Sequence, residues 1–254
     1  MKLAFDDYPG AGAPPLIVAH GVFGSARNWR ALAKRMGGDR RVIAVDMRNH
    51  GRSGWDDAHD YFAMAGDLAE TIEDIGAPAA VLGHSMGGKA SMVLAATRPE
   101  LVERLIVADI APVAYGHDLM DEIRAMQSVD LSAATRRGDV DAALARTIAE
   151  APVRAFLATS ANLAAEPKRW DLNLDALAAN MDVVTGFPDL DAGYDGRTLF
   201  LSGAMSNYVD AAGADAARTL FPATEFEVIA GAGHWLHAEK PREFLDAVNR
   251  FLAG

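Results

Sequence analysis

Residues 79–94 read AAVLGHSMGGKASMVL, and this stretch decides the fold. Residues 79–82 form a short apolar run typical of a buried strand, and the segment after Gly88 is rich in apolar residues that favour a helix packed close to it. Gly83 and Gly87 flank Ser85 between the two. In so tight a strand-to-helix turn the serine is strained, and a Cβ at either glycine would collide with neighbouring chain. We therefore expect the Ser85 hydroxyl to stand at the C-terminal edge of a sheet, beside backbone N–H groups that favour negative charge.

The composition limits the possible partners and compartments. The 254 residues fit one large domain, with half of the residues hydrophobic and 23% charged. A formal charge of −11 argues against nucleic acid and anionic membrane surfaces. The chain has no cysteine, which excludes disulfides and thiolate metal sites. Residues 1–7 lack the apolar region of a signal peptide, and no run of about 18 apolar residues could cross a bilayer. We expect a cytoplasmic protein without membrane insertion, and the oligomeric state stays open.

Strands and helices alternate in the first part of the chain. Short apolar runs predict an edge strand at residues 3–5 and buried strands at 16–19, 41–45, 79–82 and 105–108, with an amphipathic helix at 61–75. Such alternation implies a mostly parallel sheet flanked by helices. Residues 112–190 instead predict helices at 119–126, 140–148, 153–163 and 174–184. Strands return at 198–202 and 225–230, before a last helix at 241–252. We therefore divide the chain into core (1–111), inserted helical cap (112–190) and core (191–254).

A serine hydroxyl is a poor nucleophile near neutral pH, so a base must take its proton and a carboxylate must orient that base. His234 follows the last predicted strand, and its loop emerges at the same edge of a parallel sheet as Ser85. We predict His234 as the base. The other histidines are expected to support the site (His84, His237), to brace the glycine loop at 20–25 (His20), or to lie in loops or at the surface (His50, His59, His117).

The acid has two candidates. The expected chain order is serine, then carboxylate, then histidine. Asp109 ends the strand that follows the Ser85 helix, so its side chain can project at the catalytic edge. After the strand at 198–202, the position expected to carry a carboxylate holds Ser206, and Asp210 lies further along. The sequence favours Asp109, keeps Asp210 as the alternative, and leaves Ser206 as a hydrogen-bond partner within the triad.

Acyl transfer also needs hydrogen-bond donors for the oxyanion that forms in the transition state. The N–H groups of Met86 and Val22 are predicted to supply them, by the geometry described for this kind of turn. Three further residues next to these positions are predicted to line the substrate pocket: Phe23, His84 and Trp235.

Four motifs resemble those of one known family. They are HGVFGS at 20–25, DMRNHGRS at 46–53, GHSMGGK at 83–89 and AGHWLHAEKP at 232–241. Together they resemble the α/β-hydrolases, and more narrowly the bacterial esterase branch that includes the mammalian abhydrolase-domain-11 proteins. The resemblance implies an α/β-hydrolase fold with a cap, and hydrolysis of esters or thioesters without metal or organic cofactor. It also implies an acid after the sixth strand with a serine at the later acid position, which agrees with Asp109 and Ser206.

Three functions remain open from the sequence. The first is a serine carboxylesterase that forms an acyl-enzyme. The second keeps the site but changes the reaction, above all to hydrolysis of acyl thioesters, and the third is a non-catalytic ligand-binding protein. Apolar cap residues could contact the substrate: Met120, Ile123, Met126, Phe156, Leu157, Trp170 and Leu172. Four cations could meet an anionic group such as a CoA phosphate, although a solvated surface is the simpler expectation: Lys89, Arg154, Lys168 and Arg169.

Overall fold

The computed structural model describes residues 1–12, 14–38 and 40–254. Its strands are β1 (Phe5–Tyr8), β2 (Leu16–Ala19), β3 (Val42–Val45), β4 (Ala79–His84), β5 (Val102–Ala108), β6 (Ala161–Asn162), β7 (Arg169–Trp170), β8 (Thr198–Gly203) and β9 (Thr224–Ile229). Its α-helices are α1 (Ala26–Met36), α2 (Tyr61–Ile75), α3 (Met86–Thr97), α4 (Met120–Gln127), α5 (Arg137–Leu144), α6 (Ala151–Ala158), α7 (Leu174–Ala179), α8 (Met181–Thr185), α9 (Ala211–Leu220), α10 (Leu236–Glu239) and α11 (Pro241–Ala253).

A seven-stranded sheet has the order β1-β3-β2-β4-β5-β8-β9. Every pairing in it is parallel except that of β1 with β3, which is antiparallel at one edge. The inner strands β2, β3 and β4 are completely buried, as expected of parallel strands covered on both faces. The order places β4 in the middle, so Ser85 emerges at the centre of the C-terminal edge.

The core lies on both faces of this sheet. Alternate residues of one strand enter different hydrophobic clusters, since Ile17 belongs to one and Val18 to the other. Helices α2 and α3 pack on the Ile17 face, and helices α1 and α11 pack on the Val18 face. The expected mostly parallel sheet flanked by helices is confirmed.

Several predicted boundaries were wrong for local reasons. The edge strand runs over Phe5–Tyr8 rather than residues 3–5, because Leu3 enters the core while the exposed edge pairs with β3 through its backbone. The helix predicted at 153–163 ends at Ala158, where the Thr159 hydroxyl donates to the Phe156 carbonyl and satisfies the end of the helix.

The segment between β5 and β8 contains the helices α4 to α8, and it also holds the short antiparallel pair β6-β7, which the sequence did not reveal. The helix predicted at 174–184 is two helices, α7 and α8, which meet at Asn180. The Asn180 side chain donates to the carbonyls of Ala176 and Asp57, so it ends one helix and ties it to the core. The division of the chain at residues 111 and 190 stays a prediction.

Candidate active site

The turn between β4 and α3 holds Ser85 in a conformation that L-residues rarely adopt, with φ 53° and ψ −121°. A Cβ on Gly83 would lie 2.2 Å from the carbonyl oxygen of Gly87, and one on Gly87 would lie 2.5 Å from that of Ala19. Both contacts are far below van der Waals distance. The geometry therefore explains why glycine flanks this serine on both sides.

Asp109 and His234 meet beside this turn. Asp109 follows β5, is completely buried and has a positive φ of 54°. His234 Nδ1 lies 2.7 Å from Asp109 Oδ2. The same carboxylate accepts from Ser206 Oγ at 2.5 Å and from the Gly203 N–H at 2.9 Å. Three donors thus hold this carboxylate in place at the Nδ1 edge of the imidazole.

The alternative acid is occupied elsewhere. Asp210 precedes α9, and its Oδ1 accepts from the Gly213 N–H at 2.8 Å, which is a helix cap. The structure therefore brings Asp109, Ser206 and His234 together and leaves Asp210 outside this cluster.

Neutral rings surround His234. Tyr208 stacks on it with ring centroids 4.2 Å apart, and the His84 ring lies 4.7 Å away. His84 Nε2 donates to the backbone carbonyl of His234 at 2.9 Å and so fixes the loop. Burial lowers the pKa of His84 well below its usual value and lowers that of His237 to about 3. Because both stay neutral, they do not repel a positive charge that develops on His234.

The histidines His20 and His50 form hydrogen bonds with the backbone of the glycine loop at residues 20–25. His20 Nδ1 donates to the Gly21 carbonyl at 2.8 Å, and its Nε2 accepts from the Met47 N–H at 3.0 Å. His50 Nε2 accepts from the N–H of Phe23, whose φ is 64°. The expectation that His20 braces this loop agrees with these contacts.

His50 and His59 lie in loops, which was one of the two expected placements, and both are completely buried rather than at the surface. His117 is exposed and hydrogen-bonds the Tyr208 hydroxyl at 2.8 Å. Among the described residues, the N–H groups of Val22 and Met86 donate to no backbone or side-chain acceptor. Both groups are thus free to donate to a bound molecule beside Ser85.

A cavity of about 260 Å³ contains Ser85 and His234 in its wall. The three predicted pocket residues Phe23, His84 and Trp235 also line it. Tyr208 lines it too and was missed, although its position two residues after Ser206 was an available signal. Among the residues that the structure describes, Ser85 and His234 share this cavity without a hydrogen bond between their side chains, and such bonds often tighten only when substrate binds.

Two of the seven apolar candidates from the predicted cap lie in the wall of this cavity. Phe156 and Leu157 line the cavity as expected. The other five candidates are not among the described residues that line the cavity, and they belong to the hydrophobic core or pack against it: Met120, Ile123, Met126, Trp170 and Leu172. Burial in the hydrophobic core is enough to explain their apolar spacing.

The candidate cations are mostly engaged within the chain. Lys89 was expected at a solvated surface or near an anionic group, but it is 1% exposed and donates to the carbonyls of Thr185 and Gly186 at 2.9 and 2.5 Å. Arg154 and Lys168 also donate to backbone carbonyls of the cap. Arg169 is exposed and lies 3.7 Å from the Asp171 carboxylate. Lys89, Arg154 and Lys168 are therefore structural ties.

The described residues, 1–12, 14–38 and 40–254, contain no helix long and apolar enough to cross a membrane. They also contain no group of three or more histidine or acidic side chains arranged to hold a metal ion.

Comparisons with known proteins place the chain in a family. A family model described as "alpha/beta hydrolase fold" matches residues 14–241. The chain belongs to the α/β-hydrolase family. Within that family it is 40% identical to the sn-1-specific diacylglycerol lipase ABHD11 of Mus musculus, over 96% of this chain and 82% of the relative. It is 38% identical to the esterase YbfF of Escherichia coli, over 94% and 92% of the two chains.

A solved structure of the same family, titled "Marine microorganism esterase", superposes with a TM-score of 0.93 at 34% identity and covers 98% of this chain and 99% of its own. These comparisons confirm the α/β-hydrolase fold and the resemblance to the abhydrolase-domain-11 and bacterial esterase branch. The same relatives confirm the expectation of an esterase-type hydrolase.

Proposed function

We propose that the chain is a serine carboxylesterase that works through an acyl-enzyme, with Ser85 as nucleophile, His234 as base and Asp109 as the acid that orients it. The observation that carries this proposal is the 2.7 Å pairing of His234 with Asp109 in the wall of the cavity that also holds the strained Ser85. A charged partner on Nδ1 leaves Nε2 as the nitrogen that exchanges protons with substrate.

In the first half-reaction, Ser85 Oγ attacks the acyl carbon while His234 takes its proton. His234 then gives this proton to the alcohol oxygen as the bond from that oxygen to the acyl carbon breaks and the alcohol leaves. Asp109 stabilises the imidazolium that results, and Ser206 and the Gly203 N–H keep that carboxylate in place. The free N–H groups of Val22 and Met86 supply the two donors for the oxyanion, and each such donor contributes about 3 kcal/mol of transition-state stabilisation. These steps use residues of the chain and water.

In the second half-reaction, His234 takes a proton from water, whose oxygen bonds to the acyl carbon. The bond from Ser85 Oγ to the acyl carbon then breaks, His234 returns the proton to Ser85 Oγ, and the acid leaves. Phe23, His84 and Trp235 form part of the wall against which the substrate packs. The relatives are named as a diacylglycerol lipase and an esterase, and both names refer to cleavage of an ester bond. We infer that this chain also cleaves ester bonds.

The test is hydrolysis of 4-nitrophenyl acetate by wild type and by Ser85→Ala, with labelling by a fluorophosphonate probe alongside. We expect saturable turnover that falls at least about a thousandfold in Ser85→Ala, and probe labelling of wild type alone. Equal rates in the two proteins, together with no labelling of wild type, would show that the cavity does not work as a serine esterase.

A further inference from the structure

Two cavities meet at Ser85. The large lobe is the cavity of about 260 Å³ described above, and a second cavity of about 40 Å³, here called the small lobe, also has Ser85 in its wall. Val22, Leu119 and Tyr208 line both lobes, as Ser85 does. The acyl part and the alcohol part of an ester attacked at Ser85 can therefore occupy different cavities.

The position of His234 distinguishes the two lobes. His234 lines the large lobe, and among the described residues it does not line the small lobe. The acyl carbon of the tetrahedral intermediate carries four substituents: the serine oxygen, the oxyanion, the alcohol oxygen and the acyl chain. The alcohol oxygen must take its proton from His234, so the alcohol extends on the side that His234 lines. The oxyanion faces the N–H groups of Val22 and Met86, and the acyl chain takes the direction that remains.

We propose that the large lobe holds the alcohol part of the substrate and the small lobe holds the acyl part, so that the enzyme is specific for short acyl groups on bulky apolar alcohols. This inference rests on the esterase function proposed above. As the acyl group is transferred, the bond from Ser85 Oγ to the acyl carbon forms, the bond to the alcohol oxygen breaks, and the serine proton passes through His234 to the departing alcohol. Water then enters from the large lobe, bonds to the acyl carbon and returns a proton through His234 to Ser85 as the acid leaves.

The size of the small lobe limits the acyl group. One water-sized group occupies about 10–15 Å³ of such a cavity, so 40 Å³ accepts an acyl chain of about two to four carbons. The volume of the large lobe, about 260 Å³, is enough for a ring system, and its wall includes the aromatic side chains of Trp29, Phe156 and Trp235.

The wall of the small lobe is anchored. Val184 and Thr185, at the end of α8, line it. The Tyr61 hydroxyl donates to the Val184 carbonyl at 2.6 Å, and Lys89 Nζ donates to the carbonyls of Thr185 and Gly186. Retraction of this wall to admit a longer chain would break these buried hydrogen bonds. We therefore treat Tyr61 and Lys89 as positioning residues for the small lobe.

Two ester series on wild type test the assignment. The first keeps 4-nitrophenol and varies the acyl group from acetate to octanoate, and the second keeps acetate and varies the alcohol from ethanol to 1-naphthol. We expect kcat/KM to fall at least about tenfold beyond butanoate in the first series, and to hold or rise with alcohol size in the second. An optimum at octanoate, or a collapse with the bulky alcohols, would overturn the proposal.

A matched pair of variants sharpens the test. Val184→Ala enlarges the small lobe and Val153→Ala enlarges the large lobe by the same methyl groups. We expect Val184→Ala to raise kcat/KM for hexanoate relative to acetate about tenfold, and Val153→Ala to keep the wild-type acyl optimum while it favours larger alcohols. If instead Val153→Ala favoured hexanoate over acetate and Val184→Ala favoured larger alcohols, the proposal would be overturned, because the acyl part would then lie in the large lobe.

Ser85→Ala serves as the blank for every ester, and circular dichroism checks that each variant is folded. Serine-dependent hydrolysis with the wrong chain-length profile contradicts the lobe assignment alone. Hydrolysis that does not depend on Ser85 in either series contradicts the esterase function and the lobe assignment with it. If Val184→Ala does not fold, the two wild-type series still decide the question.

Discussion

Asp109 is the residue on which the proposed site converges, because its carboxylate accepts from a histidine, a serine hydroxyl and a backbone N–H at the same time. A buried carboxylate held by three donors has one orientation. Because His234 Nδ1 is hydrogen-bonded to it, the orientation of the imidazole ring is fixed as well. Ser206 alone could not replace it, since a neutral hydroxyl cannot stabilise an imidazolium as a carboxylate does.

Replacement of Asp109 by asparagine should therefore be far more harmful than the same change at Asp210. Asp109→Asn presents an amide to His234 and favours the wrong tautomer, so we expect kcat to fall at least about a thousandfold. Asp210→Asn keeps a helix-capping side chain and should stay within about threefold of wild type, because asparagine caps helices about as well as aspartate. Comparison of the two kcat values decides the acid, and a larger loss in Asp210→Asn would refute the assignment.

The glycines beside Ser85 allow a test of backbone strain. Gly83→Ala places a methyl group 2.2 Å from the Gly87 carbonyl oxygen, whereas Gly66 in α2 has open space around its Cβ position. We expect Gly83→Ala to lower the free energy of unfolding by about 2 kcal/mol or more, and Gly66→Ala to raise it by about 0.5–1 kcal/mol through helix propensity. Urea denaturation measures both changes. Equal stability of the two variants would show that the turn is not so tightly packed.

At the scale of elements, the C-terminal end of α8 is fastened to the nucleophile helix α3. Its last carbonyls accept from Tyr61, Lys89 and the Tyr115 N–H, and the Lys89 ammonium also lies 4.7 Å from the centre of the Tyr115 ring. A helix C-terminus attracts cations, which explains why a lysine serves here. This position buries the amine of Lys89, which is unfavourable for its charged form.

This burial predicts a pH dependence of stability. Burial lowers the pKa of Lys89 to about 7 from 10.5. Between those values the unfolded chain binds more protons than the folded chain, so the free energy of unfolding rises with pH. We expect the stability of wild type relative to Lys89→Met to increase from pH 7 to pH 9 by up to about 1.4 kcal/mol per pH unit. Below pH 7 the penalty for burying the charge is fully present.

Urea denaturation at a series of pH values measures this difference. Lys34→Met, at an exposed position on α1, is the control and should follow the wild-type pH dependence. Parallel stability curves for wild type and Lys89→Met between pH 7 and pH 9 would show that the amine does not titrate in this range.

At the scale of the whole molecule, the sequence predicted what local chemistry determines. The turn around Ser85 requires glycine through contacts a few residues apart, and α2 has the predicted bounds because apolar residues recur along one face and Gly76 ends it in a left-handed conformation. Asp109 was favoured because the end of a parallel strand fixes the sheet edge on which it lies.

Contacts between distant segments could not be predicted in the same way. The burial of Lys89 depends on carbonyls almost a hundred residues further along the chain, and a lysine in a helix gives no local sign of such partners. The short pair β6-β7 depends on hydrogen bonds across a loop rather than on a hydrophobic pattern. A related limit applies to the five apolar candidates that do not line the cavity. Helical spacing predicts that a residue is buried, but it does not predict whether protein or substrate covers that residue.

The net charge of −11 leads to a last prediction about the choice of substrate. The described residues that line the large lobe include Glu122 but no lysine or arginine. An anionic substrate is therefore repelled both by the molecule as a whole and by the wall of the cavity. The neutral ester methyl 4-acetoxybenzoate and the anion 4-acetoxybenzoate share an acetyl group and differ in the charge on the alcohol part, so their ratio isolates this effect.

We expect kcat/KM for the anion to rise roughly threefold or more as salt increases from about 0.01 M to about 0.15 M, because the Debye length falls from about 30 Å to about 8 Å. The neutral ester should change little. Glu122→Gln should raise kcat/KM for the anion at low salt and leave the neutral ester near its wild-type value. Salt dependence of the opposite sign would mean that a cation meets the substrate charge, and a group outside the lining of the large lobe would then have to recognise the anion.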